Sequence, residues 1–215
     1  MSSSRPAARV LEVETPHGLA RAHLHPAAEP RGAVVLGHGA GGGVSAPDLL
    51  AATDAALAGH FTVVLVEQPY RVAGRRSPAP AHHLDAAWLA VVDHLRSVLL
   101  AGLPLVSGGR SSGARVACRT AVAAGAAGVV CLAFPLIPPR RAGAAPAPSR
   151  LSELDAVSVP VLVVQGVNDR FGMPPPGKRR AVVQVRGDHS LRSDRSAVVD
   201  AVSDWLVKLP VRSVR

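Results

Sequence analysis

Apolar side chains along the chain fall into eight short clusters separated by amphipathic or glycine- and proline-rich stretches. Residues 10–13, 20–25, 33–36, 61–66, 103–107, 129–132, 161–164 and 181–185 are predicted strands. From the third onward they are short, rich in β-branched residues and apolar at nearly every position, the pattern of a parallel sheet covered by helices on both faces. Between them the period changes. Leu84, Trp88, Val91, Val92 and Leu95 recur at helical spacing, as do Val198, Val202, Trp205, Leu206 and Leu209. Both stripes, with both tryptophans, are assigned to the core. A further helix is predicted over 112–124. Alternating strands and helices with right-handed crossovers give a doubly wound, mostly parallel α/β sheet of about eight strands, with ligands at the carboxyl ends of the strands. Function is therefore expected in the loops that follow strands.

The 215 residues, 48% apolar, suit one globular domain over 1–215 with a sizeable core. Residues 1–8 are expected to be flexible. Residues 135–150, rich in Pro and Ala, read as an extended loop too short for a cap domain, which leaves the active face open. The stretch 120–139 carries no charge and is about long enough to cross a bilayer, but Gly125, Gly128 and Pro135 interrupt it. A helix end, a turn and a buried strand account for it better. Residues 1–9 lack the apolar segment of a secretory signal, and the two cysteines, Cys118 and Cys131, lie in apolar stretches as free thiols. A cytoplasmic protein without membrane association is expected. The net charge of +9 would permit nucleic-acid binding, yet only 3% of residues are aromatic and the arginines are scattered, so no nucleic-acid partner is expected.

Chemistry enters at Gly109-Arg110-Ser111-Ser112-Gly113, which ends the fifth strand and opens a helix. A serine at the crest of a strand–turn–helix is a nucleophile elbow. In a chain with 20 glycines the spacing alone is weak, and context strengthens it. The seventh strand runs into Asp169 and the eighth into His189, so the chain order Ser, Asp, His matches such an elbow. These residues supply a nucleophile, a base and an acid that orients the base. Asp188 is a rival acid, but a side chain adjacent to His189 rarely reaches the ring nitrogen opposite the serine. After the third strand, His38-Gly39-Ala40-Gly41-Gly42-Gly43 is where the second oxyanion donor is expected. That donor is the backbone N–H of Ala40 or Gly39, paired with the N–H of Ser112, while His38 positions the loop.

Three places in the sequence admit a competing reading. Gly37-x-Gly39-x-x-Gly42 with Glu67 downstream resembles a dinucleotide fingerprint, but two strands precede it where a fingerprint would open its unit. His23 with His25, and His82 with His83, lack a third ligand at suitable spacing and read as exposed imidazoles. No metal or organic cofactor is expected.

With these motifs in hand, the chain resembles the α/β-hydrolase superfamily in its dienelactone-hydrolase-like branch. Residues 38–42, 68–75, 108–113, 134–139 and 187–191 look like a small group of that superfamily, and the likeness spans about residues 30–208. The resemblance implies an esterase-like hydrolase with Ser111 as nucleophile, His189 as base and Asp169 as its orienting acid. One departure stands out: such folds usually carry a helix between the acid and the last strand, and residues 173–180, with three consecutive prolines, are too short and rigid for one. Arg71, Arg75 and Arg76 follow the fourth strand, Arg110 sits in the elbow, and Arg140 with Arg141 follow the sixth. If these line the pocket, the substrate is a small anionic ester, thioester or lactone. The alternative function is a catalytically weak or inactive fold kept for binding, motivated by the weak helix after Asp169 and by the lack of a cap to define a pocket. Oligomeric state is not readable from the sequence.

Overall fold

The computed structural model describes residues 8–138, 143 and 147–210. Residues 1–7 of the expected flexible segment, and Arg140 and Arg141, lie outside them. Eight strands form one sheet: β1 (Arg9–Thr15), β2 (Gly18–His25), β3 (Gly32–Gly37), β4 (Phe61–Glu67), β5 (Leu105–Arg110), β6 (Gly128–Leu132), β7 (Val161–Gly166) and β8 (Arg180–Val185). Their spatial order is β1-β2-β4-β3-β5-β6-β7-β8. β2 is antiparallel to both β1 and β4, and all later neighbours are parallel. Each predicted strand is present. β5 is displaced furthest, starting at Leu105 and continuing through two glycines to Arg110. Pro104 has no N–H to give to the ladder, and its carbonyl instead accepts from Ala33 N at 2.9 Å.

The helices are α1 (Pro47–Ala58), α2 (Pro69–Val72), α3 (Ala81–Val98), α4 (Ser112–Thr120), α5 (Leu151–Asp155) and α6 (Arg195–Lys208). Strand parity decides what each face meets. Val34, Leu36, Val63 and Leu65 turn to one side, where Leu49 of α1 and Val198 and Leu206 of α6 cover them. Ala33, Val35, Val64 and Val66 turn to the other, against Leu84, Trp88, Val91 and Leu95 of α3. On that same side α4 and α5 cover Val129, Cys131, Val161 and Val163. Cys118 and Cys131 are buried free thiols with their sulfurs 3.5 Å apart.

Three expectations need correction. The helix predicted over 112–124 ends at Thr120, and turns through Gly125 lead into β6, so the uncharged stretch is divided as the glycines suggested. No helix among the described residues is long and apolar enough to cross a membrane. Trp88 is fully buried, but Trp205 is only partly so: it packs from the outer side of α6 over Gly128, where a Cβ would meet its ring at 2.8 Å. His25 is buried and His23 half-buried, because β2 is paired along both edges, and His23 Nε2 stands 3.6 Å from Glu67. The loop after β3 does not open a helix at Gly42, since α1 begins only at Pro47. A dinucleotide fingerprint requires the glycine turn to run straight into the helix whose N-terminus holds the pyrophosphate.

Candidate active site

β5 carries the chain to the centre of the sheet, and Ser111 turns it sharply into α4 with φ 51° and ψ −107°. A non-glycine residue with positive φ is costly and persists only where its surroundings over-determine it. Here Ser111 N donates to Leu132 O at 2.9 Å and Arg115 N donates back to Ser111 O at 3.2 Å. Gly113 lets α4 lie directly against β3, since any Cβ at that position would overlap the Gly37 carbonyl. The serine hydroxyl is thereby presented on a rigid crest.

The loops after β7 and β8 bring the other two predicted residues to it. His189 Nε2 lies 2.9 Å from Ser111 Oγ, and His189 Nδ1 lies 2.7 Å from Asp169 Oδ2. A carboxylate can only accept, so Nδ1 carries the hydrogen and Nε2 is left to accept from the serine hydroxyl. Asp188 faces away, accepting from the backbone N–H and hydroxyl of Ser190 through Oδ1. The Phe171 ring meets the imidazole edge-on at 4.5 Å between centroids, which walls off one side of it.

No helix follows Asp169, in agreement with the proline run, yet its carboxylate is held firmly. Oδ1 accepts from Phe171 N at 2.9 Å, and Oδ2 accepts from Gln165 Nε2 at 2.8 Å. Gln165 is fully buried, and the same amide nitrogen faces Phe134 O at 3.1 Å and Gly172 O at 2.9 Å. Its two hydrogens are shared among three oxygens, which fixes the amide orientation, since the reverse would set its oxygen against a carboxylate. Reasoning from sequence passed over this residue. A glutamine closing a fully buried strand was the available signal, because a buried amide must find partners.

On the other side of the serine, the loop after β3 is anchored by the buried His38. Its Nδ1 donates to Gly39 O at 2.8 Å and its Nε2 accepts from Gln68 N at 3.1 Å. Burial pushes the imidazole below its usual pKa, against the opposing pull of Gly39 O, so it is neutral at pH 7. Tyr70 of α2 donates to Ala40 O at 3.0 Å, which orients the peptide preceding Gly41. Gly39 abuts the nucleophile, with Ser111 Cβ 3.5 Å from where its own Cβ would stand. Among the described residues, no acceptor takes the N–H of Gly39, Ala40 or Ser112.

The arginines separate. Arg110 is not free for a ligand: its Nε pairs with Asp48 Oδ2 at 2.8 Å, and its Nη2 donates to His189 O at 3.1 Å. Burial pushes the Asp48 carboxyl above its ordinary range, and Arg110 pulls it back only in part. Arg75 lines a cleft of about 500 Å³ between α2 and α3 with His17, Tyr70 and His83, and none of Ser111, Asp169 or His189 lines it. Arg76 is exposed in the turn beyond α2. Arg71 is the half-buried one of the three described arginines that follow β4: its Nε is buried without a partner, and its charge opposes protonation of His38. Among the described residues, no group of three His, Cys, Asp or Glu side chains is placed to hold a metal.

The sheet order, the strained serine turn after the fifth strand and the two loops that meet it define an α/β-hydrolase fold. The chain belongs to the α/β-hydrolase domain family, whose model matches residues 30–201. A search of curated proteins finds no match. Among solved structures, it is similar to an α/β serine hydrolase without lid from Xanthomonas campestris (20% identity, 99% of this chain and 100% of the other, TM-score 0.68). It is also similar to a dienelactone hydrolase from Anabaena variabilis (16%, 97% and 100%, TM-score 0.73). A third is Thermogutta terrifontis esterase 2 phosphorylated by paraoxon (16%, 99% and 98%, TM-score 0.72). At these identities the likeness is one of fold.

Proposed function

We propose that this protein is a serine hydrolase that cleaves a small ester, thioester or lactone through an acyl-enzyme, without a cofactor. The chain of contacts from Ser111 Oγ to His189 Nε2 at 2.9 Å, and from His189 Nδ1 to Asp169 Oδ2 at 2.7 Å, carries this reading. Ser111 Oγ attacks the acyl carbon while His189 Nε2 takes its proton, and Asp169 stabilises the imidazolium without itself being protonated. The carbonyl oxygen becomes an oxyanion that accepts from the N–H of Ser112 and from that of Ala40 or Gly39. On collapse, Nε2 returns the proton to the departing alcohol, thiol or ring oxygen. Water, deprotonated by the same nitrogen, then attacks the acyl-serine, and a second collapse releases the acid and restores Ser111.

The reading of an inactive binding protein drew on the missing helix after Asp169. Gln165 provides the hold that the helix would have given, so that ground is weakened. A preference for anionic substrates rests on Arg71, the cation beside the oxyanion loop with no acidic partner, and no longer on Arg110. A guanidinium fork there would take a carboxylate or phosphate on the acyl group.

The test is covalent capture. The esterase from Thermogutta terrifontis is phosphorylated by paraoxon, and a fluorophosphonate is a reagent of the same kind. Intact mass should show one adduct on the wild type and none on Ser111→Ala. A folded wild type that takes no adduct would sink the proposal. For the anionic preference, Arg71→Ala should lower kcat/KM for a carboxylate-bearing ester about tenfold or more relative to a neutral one, the scale of one charge-assisted hydrogen bond. An unchanged ratio would remove Arg71 from substrate recognition.

A further inference from the structure

Resting on the serine-hydrolase reading of the site, we propose that Arg110 and Asp48 act as a positioning pair that sets both His189 and the Gly39–Ala40 loop for the reaction.

One guanidinium serves three segments that the sequence keeps far apart. Arg110 is the last residue of β5, immediately before the nucleophile. Its Nε pairs at 2.8 Å with Asp48, the second residue of α1, whose side chain is wholly inaccessible. Nη2 donates at 3.1 Å to the carbonyl of His189. Nη1 stands 2.6 Å from where a Cβ on Gly39 would be, so the oxyanion loop closes directly onto the guanidinium. The other Asp48 oxygen takes the Leu49 N–H at 2.9 Å, which fixes the carboxylate against which the Arg110 Nε lies.

The His189 loop needs such a hold. Residues 186–191 belong to no helix or strand, and Gly187 and Leu191, with φ of 117° and 51°, break the chain direction on either side of the histidine. The Nδ1–Asp169 contact orients the ring, but it does not fix the backbone from which the ring hangs. Asn168 N holds Gly187 O at 2.9 Å and Leu191 N holds Asp188 O at 3.1 Å on either side of it, and the Arg110 bond adds a hold on the carbonyl of His189 itself. A shift of that backbone by a fraction of an ångström would lengthen the contact to Ser111, and misplacements of about 1 Å can cost on the order of 100-fold in rate. Asp48 acts through Arg110, because a fork released from its carboxylate is free to leave the carbonyl.

The test compares Arg110→Met, Arg110→Lys, Asp48→Asn and the Asp48→Asn/Arg110→Met double variant, using p-nitrophenyl acetate and a carboxylate-bearing p-nitrophenyl ester. Positioning predicts a fall in kcat of about 10- to 100-fold for both esters with KM nearly unchanged. It also predicts no rescue by lysine, whose single ammonium cannot span both partners, and a double variant no worse than the more damaged single one. Nuclear magnetic resonance of 15N-histidine protein supplies a readout that does not need turnover. The His189 Nδ1–H signal, assigned by its loss in His189→Gln, should shift or broaden in Arg110→Met and Asp48→Asn. A loss confined to KM for the carboxylate ester would return Arg110 to substrate binding and overturn the proposal, as would additive effects or an unmoved His189 signal. Should the charge variants not fold, Gly39→Ala keeps both charges while pressing on Nη1. Its His189 signal should move, and an unmoved one would count against the pair. If wild type hydrolyses nothing, the functional reading fails, while the resonance still decides whether the pair holds His189.

Discussion

Gln165 and Arg110 are the two side chains whose roles differ most from what their positions in the chain suggest. Gln165 closes a strand and reads as an ordinary polar terminus, yet its amide joins His189 Nδ1 as a side-chain donor to the Asp169 carboxylate. Gln165→Met keeps the volume and removes both hydrogens. It should lower kcat for a neutral ester by about 10-fold or more while leaving KM near wild type, because a bond to a charged group of roughly 1.5–3 kcal/mol is lost from the residue proposed to orient the base. An unchanged kcat in a folded variant would show that Phe171 N and His189 suffice to hold Asp169. Ser111, Asp169 and His189 were legible because each follows a strand in an order the elbow dictates. Arg110 was legible as a cation at the site but not as a committed one. Its partner Asp48 lies 62 positions away in the sequence numbering (110 − 48), and a sequence does not print which charges are already paired.

Elements carry the next level of organisation. The helix face made by α3, α4 and α5 is laced by ions: Arg115 of α4 grips Glu153 of α5 at 2.9 and 2.6 Å, and Arg119 spans Glu153 and Asp85 of α3. Since α4 begins at Ser112, this lacing also steadies the nucleophile turn. Burial alone would push the Glu153 carboxyl up, but Arg115 and Arg119 outweigh it and hold the group below the usual glutamate range. A depressed folded-state value means that the stabilisation is complete above the unfolded glutamate pKa and is lost as pH falls through the folded one. Wild type should therefore lose stability in denaturant titrations stepped downward from about pH 5, near the reference value for glutamate. Glu153→Gln should be less stable than wild type at pH 7, with a shallower decline into acid. An identical slope in the two proteins would assign the acid sensitivity elsewhere. Helical periodicity gave α3 and α6 their faces, but α4 ends at Thr120, whose hydroxyl donates to Val116 O at 2.7 Å, and Ala121 N then turns back to Cys118 O instead of continuing the helix.

At the scale of the whole molecule, two layers of helices clamp a sheet whose central strands have no exposed face. Trp88 is the largest side chain with no exposure, and its ring reaches from α3 to the β3 end where the oxyanion loop departs, 3.2 Å from a Cβ on Gly37. Trp88→Ala should cost about 3–5 kcal/mol in chemical denaturation. Because the cavity would open beneath residues 37–39, the proposed esterase activity should fall before global unfolding; full activity up to the unfolding transition would separate packing there from the site. The helices α1, α2 and α5 do not follow from the sequence by itself, whereas the eight strands, the helices α3, α4 and α6, the parallel core and the strand-end placement of Ser111, Asp169 and His189 do. Local periodicity and turn chemistry determine them, and both are written in neighbouring residues. The tertiary structure decided which arginines are free, how Asp169 is held without a helix, that His25 is covered and that Trp205 is covered only in part. These depend on contacts between segments far apart in the chain, where burial and pairing are set by how the layers meet rather than by any residue's own character.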